Sequence, residues 1–203
     1  MRRGTMHHDT AWILGVLMAV AGSAQAGTFL VHPGGESKVV FVSKATIETI
    51  EGKTSRMEGV LSLDPGAVGD TVTVHLEVDL ASLSTGLSRR DKHMRENHLE
   101  TAKFPKAVFD GAAVLAPAGA KLEPGKPVSF ELEGTFALHG VSRRLRCTAE
   151  ATYRGAGSAG KIEFRAAFSV TLSDYNIARP EFLFLKLAET QNVRVSGMAV
   201  AAP

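Results

Sequence analysis

Cysteine is nearly absent from this chain, which contains Cys147 alone. A single thiol excludes an internal disulfide, so the fold must depend on packing and hydrogen bonds. Cys147 lies in a stretch where apolar and polar residues alternate, which predicts a buried structural thiol. A reactive cysteine is the alternative, but no histidine or lysine stands beside Cys147 in the sequence to activate it.

A strong charge of one sign is also missing. The 23 lysines and arginines nearly balance the 21 acidic residues, the formal net charge is +2, and the basic residues are scattered. This pattern argues against a nucleic-acid-binding surface. A hydrophobic share of 44% and a charged share of 22% exclude a disordered chain. Because no linker-like tract divides the sequence, we expect one globular domain after any targeting segment.

A short apolar run lies near the N-terminus, from Ala11 to Gly22, and it is about half as long as a membrane span requires. Arg2 and Arg3 precede the run, and an A-x-A sequence at Ala24–Ala26 follows it. This order predicts a signal peptide, residues 1–26, cleaved after Ala26, and a mature domain, residues 27–203. The protein is therefore expected in the periplasm or outside the cell. An uncleaved anchor is the alternative.

Recognisable catalytic and metal-binding motifs are missing as well. The G-x-S-x-G turn of serine hydrolases does not occur. His93 and His98 are five residues apart, which on an α-helix separates them by about 140°, so they do not suit one metal ion. An acid–base pair of Asp91 and His93 is the remaining catalytic hypothesis. We predict no catalytic residue, no metal site and no cofactor other than a bound lipid.

The segment STGLSRRDKHMRENHLETAKFP holds a dense set of titratable groups and does not alternate. It predicts one helix, roughly Arg89 to Leu99, with Ser88 as the N-cap. Two ion pairs at i,i+4 spacing would support it, Asp91 with Arg95 and Lys92 with Glu96. We interpret the segment as a helix with a solvated charged face and one apolar edge docked on a sheet.

Alternation with a period of two dominates the rest of the chain and predicts antiparallel strands. We expect about eight of them, joined by turns such as the two-residue His139–Gly140 link. Their expected ranges are Ser37–Ala45, Met57–Asp64, Thr71–Leu80, Lys106–Leu115, Ser129–Leu138, Leu145–Tyr153, Lys161–Leu172 and Asn192–Val200.

Small residues recur on the predicted inward faces. In a closed barrel of about eight strands, such residues leave space for a ligand. In a sandwich, they would pack against larger side chains instead, so the two all-β architectures remain open at this point. The small inward residues are Gly134, Ala149, Ala151, Ala166, Gly197 and Ala199.

Three ordered motifs resemble those of the YceI-like family. They are SLSTGLSRRDKHMRENHLETAKFPKAVFDG, GTFALHGVSRRL and FSVTLSDYNIARP, and the resemblance extends over nearly all of residues 36–200. The sequence FVSKATIETIEGKTSRMEG resembles a divergent branch of that family. The resemblance implies an all-β, antiparallel, eight-stranded lipocalin-like barrel with one short helix between strands. It also implies a periplasmic, non-catalytic protein whose apolar cavity holds an isoprenoid, such as a polyprenyl phosphate or a quinone.

Candidate ligand-binding residues follow from this expectation. Apolar side chains on inward faces would surround the hydrocarbon chain, and arginines near strand ends would bind a charged head group. The apolar candidates are Val39, Phe41, Val72, Val74, Leu76, Phe109, Phe130, Phe136, Phe164 and Phe168. The arginine candidates are Arg90, Arg95, Arg143 and Arg179. The alternatives are a dry, filled core and ordinary surface charges.

The expected partner is an isoprenoid or another long-chain lipid, with transient membrane contact and no nucleic acid; the oligomeric state stays open. Two other functions remain as alternatives: a stress-response or interaction module with a filled barrel, and an enzyme using Asp91 and His93.

The apolar run in RPEFLFLKL predicts a buried edge segment, with a flap over the barrel mouth or a membrane-contacting patch as alternatives.

Overall fold

Antiparallel strands make up most of the computed structural model, which describes residues 26–45, 48–68, 72–115, 120–155, 160–182 and 185–203. The strands are β1 (Gly27–Val31), β2 (Lys38–Lys44), β3 (Thr49–Thr54), β4 (Met57–Leu63), β5 (Thr73–Asp79), β6 (Lys106–Leu115), β7 (Pro127–Leu138), β8 (Val141–Arg154), β9 (Lys161–Thr171), β10 (Glu181–Phe182), β11 (Leu185–Lys186) and β12 (Thr190–Ala201).

The sheet closes on itself as a barrel with eight strand positions. We call each position a stave, and a stave consists of one strand or of two strands in line. Strands β1 and β2 form one interrupted stave, and β3 and β4 form the next, since β1 pairs with β4 and β2 with β3. Each later stave pairs with its neighbour in sequence, in the order β4, β5, β6, β7, β8, β9, β12. Strand β12 completes the circle by pairing with both β1 and β2. The predicted eight-stranded antiparallel barrel is confirmed, and the alternative of a sandwich is wrong.

The turn between β7 and β8 has the predicted form. His139 has φ of 51° and Gly140 has φ of 76°. A two-residue hairpin turn of type I′ needs positive φ at both positions, which explains why glycine occupies the second one. Strands β1 and β3 were not predicted, although both contribute to closure of the barrel.

A short helix, α1 (Ser88–His93), follows β5 and continues as a π-helical turn, Met94–His98. The Leu99 N–H donates to the Met94 carbonyl at 2.9 Å, which is the i→i+5 bond of that turn. The helix is thus where the sequence predicts it, but Ser88 is not its N-cap. Leu87 precedes the first turn and makes no side-chain capping bond. Among the described residues, no helix has the length and apolar composition needed to cross a membrane.

Two of the small inward residues serve close packing, so for them the prediction of open space is wrong. A Cβ atom at Gly134 would lie 2.3 Å from the Asp110 carbonyl oxygen, so the glycine permits neighbouring backbones to approach. A Cβ atom at Gly197 would lie 2.8 Å from the Phe164 ring, which therefore occupies that space. Of the predicted set, Ala149, Ala151 and Ala166 border open volume, whereas Ala199 is fully buried and does not line the cavity.

Candidate functional site

A cavity of about 990 Å³ occupies the barrel interior. Its volume is at the upper end of the range of about 300–1,000 Å³ that small-molecule sites span. The ten apolar residues predicted to face inward all line it, from Val39 in β2 to Phe168 in β9, together with Ala149, Ala151 and Ala166. Alternation brings them together, since every second side chain of each stave points to the axis.

The end of the cavity away from α1 has an apolar wall. Val68 and Leu122 lie there, 1% and 4% exposed, in two connections between strands. Backbone bonds hold these connections together: the Val68 N–H donates to the Ala120 carbonyl at 3.0 Å, and the Leu122 N–H donates to the Pro65 carbonyl at 2.7 Å. A hydrocarbon chain in the cavity would meet apolar groups at this end.

The end nearest α1 reaches the surface. Exposed charged residues of the helical segment and of two neighbouring connections join the apolar residues of the wall here. They are Glu48, Arg89, Lys92, Glu96 and Glu181. We call this end, with its five charged residues, the mouth of the cavity.

Asp91 anchors the helical segment beside the mouth. The residue is 5% exposed, and its carboxylate accepts hydrogen bonds from Ser84 Oγ (2.7 Å), Thr85 N–H (2.7 Å) and Thr85 Oγ1 (2.5 Å). Burial raises the pKa of Asp91, but the bonds from Thr85 and Ser84, with the charge of Arg95, outweigh burial and lower it overall. The sequence predicted that Asp91 belongs to a solvated face of the helix. This prediction is wrong, because Asp91 is buried.

Among the four arginine candidates, Arg90 lies on the cavity wall. Its guanidinium is held by the protein: Nε donates to Thr85 Oγ1 at 2.7 Å, Nη2 donates to the Thr85 carbonyl at 3.1 Å, and Nη1 lies 3.8 Å from Glu48 Oε1. These contacts use much of the fork that would bind a phosphate.

The other three arginines do not line the cavity, contrary to the expectation that they surround a head group. Each donates to a backbone carbonyl, which explains its orientation: Arg95 to Leu83 (3.5 Å), Arg143 to Asp174 (2.6 Å) and Arg179 to Leu187. A long arginine side chain can donate to any unpaired carbonyl oxygen within its reach. The sequence does not indicate which carbonyl oxygens the fold brings within reach.

The π-helical turn changes the expected relation of His93 and His98. Their rings lie edge to face with centroids 5.0 Å apart, so the expected separation around an α-helix is wrong. Nevertheless, within the described ranges no group of three or more potential ligands is arranged for a metal ion. His93 lines the cavity but Asp91 does not, so these two groups do not meet there as an acid–base pair.

Two buried polar atoms on the cavity wall lack a hydrogen-bond partner in the described part of the chain, Ser43 Oγ and His98 Nε2. Neither residue was predicted from the sequence to bind a ligand. A signal existed for Ser43, because it shares the parity of Val39 and Phe41 in β2 and therefore had to face inward. No pattern indicated His98, whose position depends on the π-helical turn.

Cys147 is buried on the cavity wall, as expected of a structural thiol. Burial raises its pKa from 9.0 to about 11.

At pH 8 the folded protein should therefore hold about 100-fold less thiolate than the unfolded chain. We predict that iodoacetamide alkylates Cys147 at least that much more slowly in native buffer than in guanidinium chloride, as followed by mass spectrometry. Similar rates in the two solvents would contradict the buried environment.

The apolar run of RPEFLFLKL can be placed only in part. Leu183 and Phe184 lie outside the described residues, as do the side chains of Phe182 and Leu185. The backbone of β10 pairs with that of β11, and Leu187 lines the cavity. The choice among buried edge, flap and membrane-contacting patch therefore stays a prediction.

Comparison with known proteins identifies the family. The sequence model of the family described as the YceI-like domain matches residues 31–199. A UPF0312 protein of Pseudomonas savastanoi pv. phaseolicola is 29% identical over 177 residues, covering 84% of this chain and 86% of the relative. A UPF0312 protein of Vibrio parahaemolyticus is 29% identical over 171 residues, covering 81% of this chain and 85% of the relative.

Solved structures with the same fold include a polyisoprenoid binding domain from Saccharophagus degradans, with a TM-score of 0.66 and 19% identity over 88% of this chain and 100% of that one. BcnA of Burkholderia cenocepacia is similar, with a TM-score of 0.64 and 20% identity over 81% of this chain and 96% of that one. The barrel, the motifs beside its mouth and the family match agree, and the chain belongs to the YceI-like domain family.

Proposed function

We propose that the protein carries or sequesters an isoprenoid lipid in its barrel, without changing it covalently. The observation that supports this most is the apolar cavity of about 990 Å³ that opens beside α1. Burial of a hydrocarbon chain contributes about 25 cal/mol for each Å² removed from water, before the costs of association. A fold shared with a protein described as a polyisoprenoid binding domain favours an isoprenoid over other apolar ligands.

The two alternative functions fit the site less well. An interaction module with a filled barrel needs a packed interior, whereas this one has a continuous cavity. An enzyme using Asp91 and His93 needs both groups at the substrate, yet Asp91 does not line the cavity and its carboxylate accepts hydrogen bonds from Ser84 and Thr85. Reversible binding is therefore the function we propose.

Export forms part of the same proposal. The charged start, short apolar run and A-x-A sequence of residues 1–26 would direct the protein to the periplasm or the medium. There it would exchange a poorly soluble lipid through transient contact with a membrane. N-terminal sequencing of the protein from cell fractions should find Gly27 first and the protein outside the cytoplasm; an intact N-terminus in the cytoplasm would refute export.

Native mass spectrometry tests the lipid proposal. We expect protein expressed with its own N-terminus in a bacterium with a periplasm to carry a mass adduct, and organic-solvent extraction to release an isoprenoid. Protein stripped of lipid should regain an adduct when mixed with geranylgeraniol. Repeated recovery of empty protein that takes up no isoprenoid alcohol, phosphate or quinone would refute the proposal.

A further inference from the structure

The two polar atoms without partners on the cavity wall indicate what kind of head group the site accepts. Ser43 is 1% exposed, and its Oγ and the Nε2 of His98 are both buried. A buried polar atom without a partner costs free energy, so such atoms in a ligand cavity mark positions for polar atoms of the ligand. Ser43 Oγ can donate or accept, so it tolerates either kind of group.

His98 is more selective, because its tautomer is fixed. Nδ1 lies 3.0 Å from the Ala178 carbonyl oxygen, which only accepts hydrogen bonds, so Nδ1 carries the proton. Burial lowers the pKa of His98, His93 lowers it further, and the bond to Ala178 only partly offsets this effect. The ring is therefore neutral near pH 7, and Nε2 presents a lone pair that can only accept.

Of the three cations that line the cavity at the mouth, Arg89 is exposed to solvent and the other two lie beside protein partners. Arg90 is bound to Thr85 and lies near Glu48, and Lys92 lies 3.9 Å from Glu96. Glu181 adds another carboxylate to the wall. A phosphate at His98 would place oxygen lone pairs against the Nε2 lone pair, and a quinone carbonyl would do the same.

We propose that the lipid carries a hydroxyl head group, an isoprenoid alcohol or phenol, which donates its hydrogen bond to Nε2 of His98. This rests on the proposed lipid-binding function. His98 acts as the specificity-determining residue, and Ser43 contacts the ligand without distinguishing donors from acceptors.

A set of matched lipids tests this directly on the full protein. Geranylgeraniol, its methyl ether and geranylgeranyl phosphate share one chain, and only the alcohol has a neutral hydroxyl donor. We expect the alcohol to bind about fivefold more tightly than the ether or the phosphate, the effect of one hydrogen bond to a neutral acceptor. Competition in native mass spectrometry gives these ratios.

Substitutions assign the effect to one residue. In His98→Phe the preference for the alcohol over the ether should disappear, while Ser43→Ala should retain it. His93→Phe is the matched control, because the adjacent ring also lines the mouth, and it should retain the preference. If His98→Phe does not fold, the ratios of lipid binding in the unmodified protein still test the preference for a hydroxyl head group.

The outcomes separate the two proposals. If none of the three lipids binds and the protein takes up no isoprenoid quinone either, the lipid-binding function is wrong. If a quinone alone binds, that function stands and the hydroxyl inference is overturned. If the ether or the phosphate binds as tightly as the alcohol, the lipid function stands and the hydroxyl inference is overturned. A preference for the alcohol that survives His98→Phe would also overturn the assignment to His98.

Discussion

Replacing Ala166 with tryptophan should abolish most lipid binding while leaving the barrel folded. Ala166 in β9 lines the cavity and pairs in register with Ala149 and Val195, two other wall residues. The new ring would occupy volume that the hydrocarbon chain needs. If it displaces about 100 Å² of apolar contact, affinity falls by about 2.5 kcal/mol, or roughly 70-fold. Native mass spectrometry and solvent extraction measure the loss.

Ala167 provides the matched control because it follows Ala166 in the same strand but is exposed on the outer face. Ala167→Trp adds the same ring outside the barrel and should leave binding unchanged. Thermal unfolding should show both variants folded, since the ring at position 166 enters open volume instead of a packed core. Equal binding by the two variants would mean that the lipid does not occupy the middle of the barrel.

Replacing Asp91 with asparagine should destabilise the protein by at least about 2 kcal/mol near pH 7. The carboxylate accepts three short hydrogen bonds from Ser84 and Thr85 in a buried position, and an amide group cannot accept all of them with the same strength. Urea denaturation gives the difference in free energy of unfolding. Lys92→Ala is the control, because its charge is solvated and it should change stability by less than about 0.5 kcal/mol.

The effect of Asp91→Asn should depend on pH in one direction. Because the pKa of Asp91 is lower in the folded protein than its unfolded value of about 3.9, its stabilisation is fully present above that value. It is lost as pH falls through the folded pKa. The difference between the unmodified protein and Asp91→Asn should therefore narrow below about pH 4. A constant difference from pH 7 to pH 2.5 would contradict the assigned role of the carboxylate.

Much of the cavity wall was predictable because strand geometry assigns faces without knowledge of tertiary structure. In β5 and the residue before it, alternation alone put Val72, Val74 and Leu76 on the inward side, where they lie. The same rule failed to find β3, whose inward side chains are Ile50 and Thr54 with Gly52 between them. A strand with a single large apolar side chain on its inner face gives too weak an alternation to recognise.

Features that depend on contacts between distant segments were beyond the sequence. His98 bonds to Ala178, 80 residues away, and Arg143 bonds to Asp174, 31 residues away. The packing of the connections over the end of the barrel decides which oxygen accepts the hydrogen bond of a histidine or an arginine. The π-helical turn has the same origin, since no local motif replaces an i→i+4 bond by an i→i+5 bond.

The most direct test of the account is a crystal structure of the protein loaded with geranylgeraniol. We predict continuous electron density for the chain along the barrel axis, in contact with Val74, Phe136 and Phe164, and the hydroxyl oxygen within hydrogen-bond distance of His98 Nε2. Density only on the outer surface, or a barrel interior filled with ordered water after the same treatment, would contradict the claim that this cavity holds a lipid.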